Sequence, residues 1–343
     1  MGRAGLNRKT GLATLTLTLA AEAPDLDVLA AFRGRAFSFA HHRGFTHSFL
    51  GIPIMAAVVV GVVYLVWRLR GRKTKDPNLP PRWGVLFFFA CLAGLSHILL
   101  DFTNNYGVRP FWPFSEKWYS WDIVFIAEPV MWALLALGLI VPSFFSLVDT
   151  EIGVRRRGPR GRVAAAVALS GIVLMWAVRD FEHRRAVAAL AARTYAGADP
   201  LRVSAYPTFI DPFHWYGVVE TENAFVLVPV DALAPEVDPD GLMQVRYKPE
   251  ETPVTLAAKH SYMGRVYLDW AQYPITETEV LEPDQGYIVH FQDLRFVQLP
   301  GMLSRRPGGR RALGAGVKLD KNLRVIGDVF GSGDDQVLVP EPN

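Results

Sequence analysis

Histidines and carboxylates gather at three places in the first hundred or so residues: Asp25 and Asp27 in "PDLD", His41, His42 and His47 in "FAHHRGFTHSFLGIP", and His97 and Asp101 in "SHILLDFTNNYG". His97 and Asp101 stand four apart, so on a helix both side chains project from one face and can hold one ion or one substrate together. His42 and His47 flank Arg43 and Gly44 in a polar turn just before an apolar run. Imidazole and carboxylate donors without thiolates suit Zn, Mn or another divalent ion, and an excess of carboxylates shifts the choice towards Mn or Mg. That chemistry is metal-assisted hydrolysis, in which a water is activated and a phosphoryl or acyl oxygen polarised. The metal ligands expected are His42, His47, His97, Asp101 and Asp27. The catalytic candidates are Asp25, Arg43 and Asp101. Arg43 has the planar fork that clamps an anionic oxygen, and an aspartate off the metal acts as general base. Each group also has a plainer reading: His41 as an interfacial anchor, the two aspartates as a turn after Pro24, and His97 with Asp101 as a self-satisfied pair.

These groups border apolar runs. Half of the 343 residues are hydrophobic and mean hydropathy is positive, a composition typical of a chain partly in a bilayer. Four runs approach the roughly 20 residues that cross a hydrocarbon core: 49–67, 83–100, 123–145 and 163–178. A shorter one from Thr10, "TGLATLTLTLAAEAP", is a first span or an interfacial helix, and it lacks a cleavage-site pattern. About five spans are expected. Six Lys or Arg against one Asp in "RLRGRKTKDPNLPPR", and the run "RRRGPRGR", place both loops in the cytoplasm by the positive-inside rule. The three polar groups then fall together on the outer face. Glu128, beside Pro129 in the third long run, is a costly intramembrane carboxylate and a supporting candidate.

From Arg179 onward the chain changes character. After an expected helix, "RDFEHRRAVAALAARTY", come short alternating or β-branched stretches between Pro, Asp and Gly that read as strands, among them "WYGVVETENAFVLVPVD", "GLMQVRYK", "GRVYLDWAQYP" and "VKLDKNLRVIGDVF". The fold class expected is an α-helical multi-span membrane domain over residues 1–180 and a small β-rich extracytoplasmic domain over 181–343, with frayed final residues. Cys91, the single cysteine, excludes disulfides and thiolate clusters. A net charge of +3, without basic stripes and interleaved aromatics, gives nucleic-acid binding little support.

"HHRGFTHS", then "SHILLDFTNNYGVRPFWPF" some 50 residues later, with "PDLD" ahead of both, resembles the LexA-regulated, membrane-bound metal-dependent hydrolase family, the YdjM-like inner-membrane proteins. The resemblance covers roughly residues 5–180, and the tail is similar to an extension carried by one branch of that family. It implies a metal-dependent hydrolase of the bacterial cytoplasmic membrane. Its motif residues map to Asp25, Asp27, His42, Arg43, Thr46, His47, His97 and Asp101. The chain departs from the pattern in having no histidine before His41. Membrane lipid is the expected partner, and a lipid-like phosphoester is the substrate class that analogy with zinc-dependent phospholipases C implies. Two rival readings remain: a non-enzymatic scaffold or metal-binding sensor, and a metal-free lipid phosphatase, whose Ser-Gly-His element and Lys-Arg clamp are not visible here.

Overall fold

The computed structural model describes residues 1–74, 76–151, 161–209, 211–281, 285–297, 313–330 and 337–339. Most of the expected cytoplasmic run "RRRGPRGR" and most of the frayed C-terminal stretch lie outside them. The chain divides into two units: Met1–Leu26, Arg43–Phe181 and Phe209–Pro212 form one, and Asp27–His42, Glu182–Thr208 and Phe213–Asn343 the other.

The first unit is helical. α1 (Ala13–Glu22) packs against α3 (Gly51–Leu69) and α4 (Trp83–Thr103) through Ala13, Leu17 and Ala20, the i, i+4, i+7 face of α1. Opposite them lie Ala56, Val59 and Val63 of α3 and Leu86, Phe89, Ala90 and Ala93 of α4. The alanines let the backbones approach closely, as interfaces between membrane helices require. α5 (Pro129–Glu151) and α6 (Arg162–Ala191) complete the unit, with Gly138 of α5 against Ala168 of α6. Three helices among the described residues, α3, α4 and α6, are long and apolar enough to cross a membrane, and α5 is apolar over Pro129–Phe145. At about 1.5 Å per residue, α3 and α4 reach the ~30 Å of a hydrocarbon core. Their outward faces are apolar and exposed, at Val58, Leu65, Phe88 and Leu95 for example, which suits lipid rather than water.

The helix boundaries differ from the sequence reading at two places. The third long run becomes helical only at Pro129, because proline suits a first helical position and Glu128 accepts a hydrogen bond from the Val130 N–H. The run 163–178 and the helix expected after Arg179 are one continuous 30-residue α6. The charges of "RDFEHRR" end the apolar stretch without breaking the helical hydrogen bonds.

α1 has ten residues, less than a crossing, yet with its flanks it links the two ends of the unit. Thr10 Oγ1 accepts from the Arg82 N–H at 2.7 Å, and the Gly11 N–H donates to the Pro80 carbonyl, which pins this end to the start of α4. Asp25 lies beside His97, about four turns further along α4. Arg3 donates to the Leu139 carbonyl and Ser143 Oγ late in α5. One end of the unit therefore collects the N-terminal segment, the 70–82 loop, the latter part of α5 and the start of α6, with Arg3, Arg8, Lys9, Arg70, Arg72, Arg82 and Arg162 in those segments. The opposite end carries Asp25, His97, Asp101 and Glu128.

The second unit holds two five-stranded antiparallel sheets. In the first, β1 (Arg202–Pro207), β2 (His214–Glu220), β3 (Ala224–Asp231) and β4 (Glu236–Val237) follow one another, and β5 (Gln244–Tyr247) also pairs with β3. In the second, the order is β10 (Val337–Val339), β9 (Val325–Phe330), β8 (Ala315–Leu319), β7 (Tyr287–Asp293) and β6 (Pro274–Val280). Ala186 and Leu190, late in α6, are buried with Trp215, Val219 and Val228 of the first sheet. α2 (Arg35–His41) also belongs to this unit, as do α7 (Pro253–His260) and α8 (Tyr262–Trp270). α8 corrects the expectation of a strand at "GRVYLDWAQYP". Ser261 Oγ caps it by accepting from the Gly264 N–H, and Met263, Tyr267 and Trp270 recur on its buried face with helical spacing.

Candidate metal centre

The turn ahead of α3 is built by close backbone contact. Phe45–His47 forms a single 3-10 turn. Ser48 Oγ donates to the Phe45 carbonyl and accepts from the Gly51 N–H, closing the turn onto the helix. A Cβ on Gly51 would overlap the Phe45 carbonyl oxygen, so only glycine fits. Gly51→Ala is accordingly expected to displace the turn and destabilise the protein by about 1–3 kcal/mol. Thermal unfolding in detergent checks this, and an unchanged midpoint would contradict it. The turn aims His47 inward, fully buried, with Nδ1 3.0 Å from Thr46 Oγ1. With Nδ1–H donating to that hydroxyl, the Nε2 lone pair faces the site.

His47 Nε2 lies 3.2 Å from Asp101 Oδ2 and 3.7 Å from Asp25 Oδ1. His97 Nε2 lies 3.3 Å from the same Asp101 oxygen and 3.4 Å from the same Asp25 oxygen. Each imidazole nitrogen thus stands between two carboxylate oxygens in a closed ring of two nitrogens and two oxygens. The ligand atoms of Asp25, His47 and His97 all lie within 4.8 Å of one another. Donors around one tetrahedral ion, bonded at roughly 2.0–2.1 Å, stand about 3.3 Å apart. His97 Nε2 and Asp101 Oδ2 are buried without a hydrogen-bond partner among the described residues, although they face each other at ion-pair distance. Such atoms are costly inside a protein unless something else binds them. Donor types, spacing and unmet polar atoms all fit a divalent ion of the Zn or Mn class.

Arg43 has a left-handed φ of 52°, a conformation that non-glycine residues hold only when their surroundings impose it. Its carbonyl accepts from the Arg109 N–H. Its guanidinium donates to Asp101 Oδ1 at 2.9 Å, to the Gly107 carbonyl at 3.0 Å and to Asn104 Oδ1 at 3.3 Å, and it lies over the Tyr106 ring. This contact holds one Asp101 oxygen and turns the other to the histidines. Asn104 and Gly107 were not singled out from the sequence, although the polar "NNYG" right after Asp101 was the available signal. Lysine has a single compact ammonium in place of the planar fork whose two terminal nitrogens reach Asp101, Asn104 and Gly107. Arg43→Lys is therefore expected to weaken metal affinity by roughly 10–100-fold, the usual effect of removing a ligand's support. A competition titration with a chelator measures it, and undiminished affinity would contradict the positioning role.

Asp25 differs from the other three members of the ring. Its side chain is 56 % exposed, whereas those of His47, His97 and Asp101 are 0, 16 and 15 % exposed. Two further residues expected as ligands pair with each other. His42 Nδ1 and Asp27 Oδ2 are 3.1 Å apart and belong to the second unit. His41 stacks on Phe37, with Nδ1 2.9 Å from the Phe37 carbonyl oxygen.

Glu128 is not part of the ring. It is fully buried and pairs with Arg179 Nη2 at 2.9 Å, joining the start of α5 to α6. Next to Arg179 in sequence, Asp180 accepts from the indole N–H of Trp121 at 2.8 Å. Arg179 was read only as the edge of an apolar run. Its partner is 51 residues away, beyond the reach of local spacing.

No solved structure matches the chain. The uncharacterized protein YfhP of Bacillus subtilis (strain 168) is 27 % identical over 118 residues, which is 34 % of this chain and 33 % of that protein. The chain thus spans about a third of the length of the curated relative it matches. The sequence model described as YdjM inner membrane protein matches residues 1–184, the helical unit and its ring of donors included, and the chain belongs to the YdjM inner membrane protein family.

Proposed function

We propose that this chain is a metal-dependent hydrolase of the inner membrane, acting at the outer face on an amphiphilic phosphoester. The observation that carries the reading is the closed ring of His47, His97, Asp25 and Asp101 at spacings suited to one ion. A divalent ion supplies Lewis acidity and a water of lowered pKa in such a setting. His47, His97 and Asp101, the buried members, would hold the ion through two imidazoles and one carboxylate. Asp25, ionised and facing solvent, takes the proton of the attacking water as general base. Arg43 holds Asp101 in its ligating orientation.

The outer location follows from the segregation of charge. Basic residues concentrate in segments at the end of the helical unit opposite the ring, and the positive-inside rule assigns that end to the cytoplasm. The stretch 10–25, together with α3, α4, α5 and α6, then makes five crossings, which leaves the ring and the β-rich region, residues 181–343, outside. A site at that depth suits a substrate whose headgroup lies at the interface while its tails stay in lipid.

Incubation of purified protein with phospholipid and lipid-phosphate substrates, supplemented with Zn or Mn, tests the activity. Hydrolysis by the wild type that disappears in Asp101→Asn is expected. No turnover under any of these conditions would contradict the enzymatic reading. One observation favours a second reading, a metal-binding scaffold: Asp25 stands with His47 and His97 in one group of ligand atoms within 4.8 Å of one another, as a ligand would. An Asp25→Asn variant separates the two, because a structural site loses its ion with that ligand while the catalytic site keeps it.

A further inference from the structure

A groove of about 690 Å³ runs along one face of α6 in the helical unit, lined by Val163, Ala166, Val167, Ser170 and Leu174, with Arg162 at its mouth. Ala166, Ser170 and Gly171 are its small lining residues, and Val163, Val167 and Leu174 are among the most exposed apolar residues of the helix. Arg162 to Leu174 covers about 18 Å of helix. That is slightly more than one leaflet of a hydrocarbon core, about 15 Å. Arg162 is exposed, and no carboxylate among the described residues pairs with it. It belongs to the basic end of the unit, where its guanidinium approaches Gly5 and where Arg3 comes close to Gly161.

We propose that this groove binds one anionic glycerophospholipid, its phosphate on Arg162 and an acyl chain along α6 as far as Leu174. Charge complementarity selects this occupant, since basic pockets beside membrane helices take anionic headgroups. A second copy packed in parallel through the same face would bring two Arg162 side chains together, so like-charge repulsion opposes a dimer there. The site is at the end of the unit opposite the ring of donors, and the inference stands whether or not that ring holds an ion.

The test uses the full-length protein in detergent, titrated with phosphatidylglycerol or phosphatidylethanolamine and followed by native mass spectrometry. Phosphatidylglycerol is expected to bind more tightly, and Arg162→Ala to lose about fivefold in its affinity. Ser170→Leu, which fills the groove without touching a charge, is expected to weaken both lipids. Both positions are exposed, so unchanged lipid-free melting and metal content verify that each variant is folded. Equal binding of the two lipids by the wild type, or phosphatidylglycerol affinity unaffected by both substitutions, would overturn the proposal. So would a dimer that Ser170→Leu dissociates, which would give the face to a second copy.

Discussion

Asp25→Asn is expected to lower the hydrolytic rate by roughly 10²–10⁴-fold, the usual contribution of a positioned general base, while the ion stays bound. Asp25 is the one exposed member of the ring, and its contacts with His47 and His97, at 3.7 and 3.4 Å, are longer than those of Asp101, at 3.2 and 3.3 Å. Asparagine keeps the size and a carbonyl oxygen but cannot accept a proton at neutral pH. Removing the carboxylate therefore removes a proton acceptor and leaves both imidazoles and Asp101 in place. The check is a single-turnover rate beside metal content on the same preparation. Loss of the ion together with the rate would make Asp25 an obligatory ligand and contradict its role as base.

The second large effect concerns stability. Glu128→Ala is expected to destabilise the protein by about 3–5 kcal/mol, because it removes the buried carboxylate that pairs with the Arg179 guanidinium. The two side chains are 0 and 1 % exposed and 2.9 Å apart, and they tie the start of α5 to α6. Changing both together, Glu128→Leu with Arg179→Met, is expected to be far milder, since an apolar pair of similar volume has no charge to desolvate. Unfolding of the three proteins in the same detergent measures the difference. A single variant as stable as the wild type would contradict the burial argument.

What the sequence made legible was local. His97 and Asp101 four apart do meet one partner from one helix face, and the polar turn before α3 does deliver a histidine to the same place. The choice between Asp25 and Asp27 was beyond reach, because the irregular turns from Pro24 to Arg33 send two carboxylates in "PDLD" to different neighbours, His97 and His42. His42 and His47, five residues apart, part in the same way where Arg43 takes a left-handed conformation between them. The β-rich tail was visible in its alternation and turn residues. α8 was misread because Val266, Tyr267 and Trp270 favour strands as well, and only the Ser261 cap with tertiary burial decided for helix. The length of α6 escaped because hydropathy marks where lipid ends and not where a helix does.

The central claim is that the ring of donors holds a metal, and elemental mass spectrometry of the detergent-purified protein tests it most directly. The wild type should be compared with a His97→Ala, Asp101→Ala double variant of equal melting behaviour. About one Zn or Mn per chain in the wild type, absent from the variant, is the result this account predicts, since an ion satisfies the buried Nε2 and Oδ2. A wild type that stays metal-free after supplementation with Zn and Mn would contradict it, and would make His47, His97, Asp25 and Asp101 a network of ion pairs.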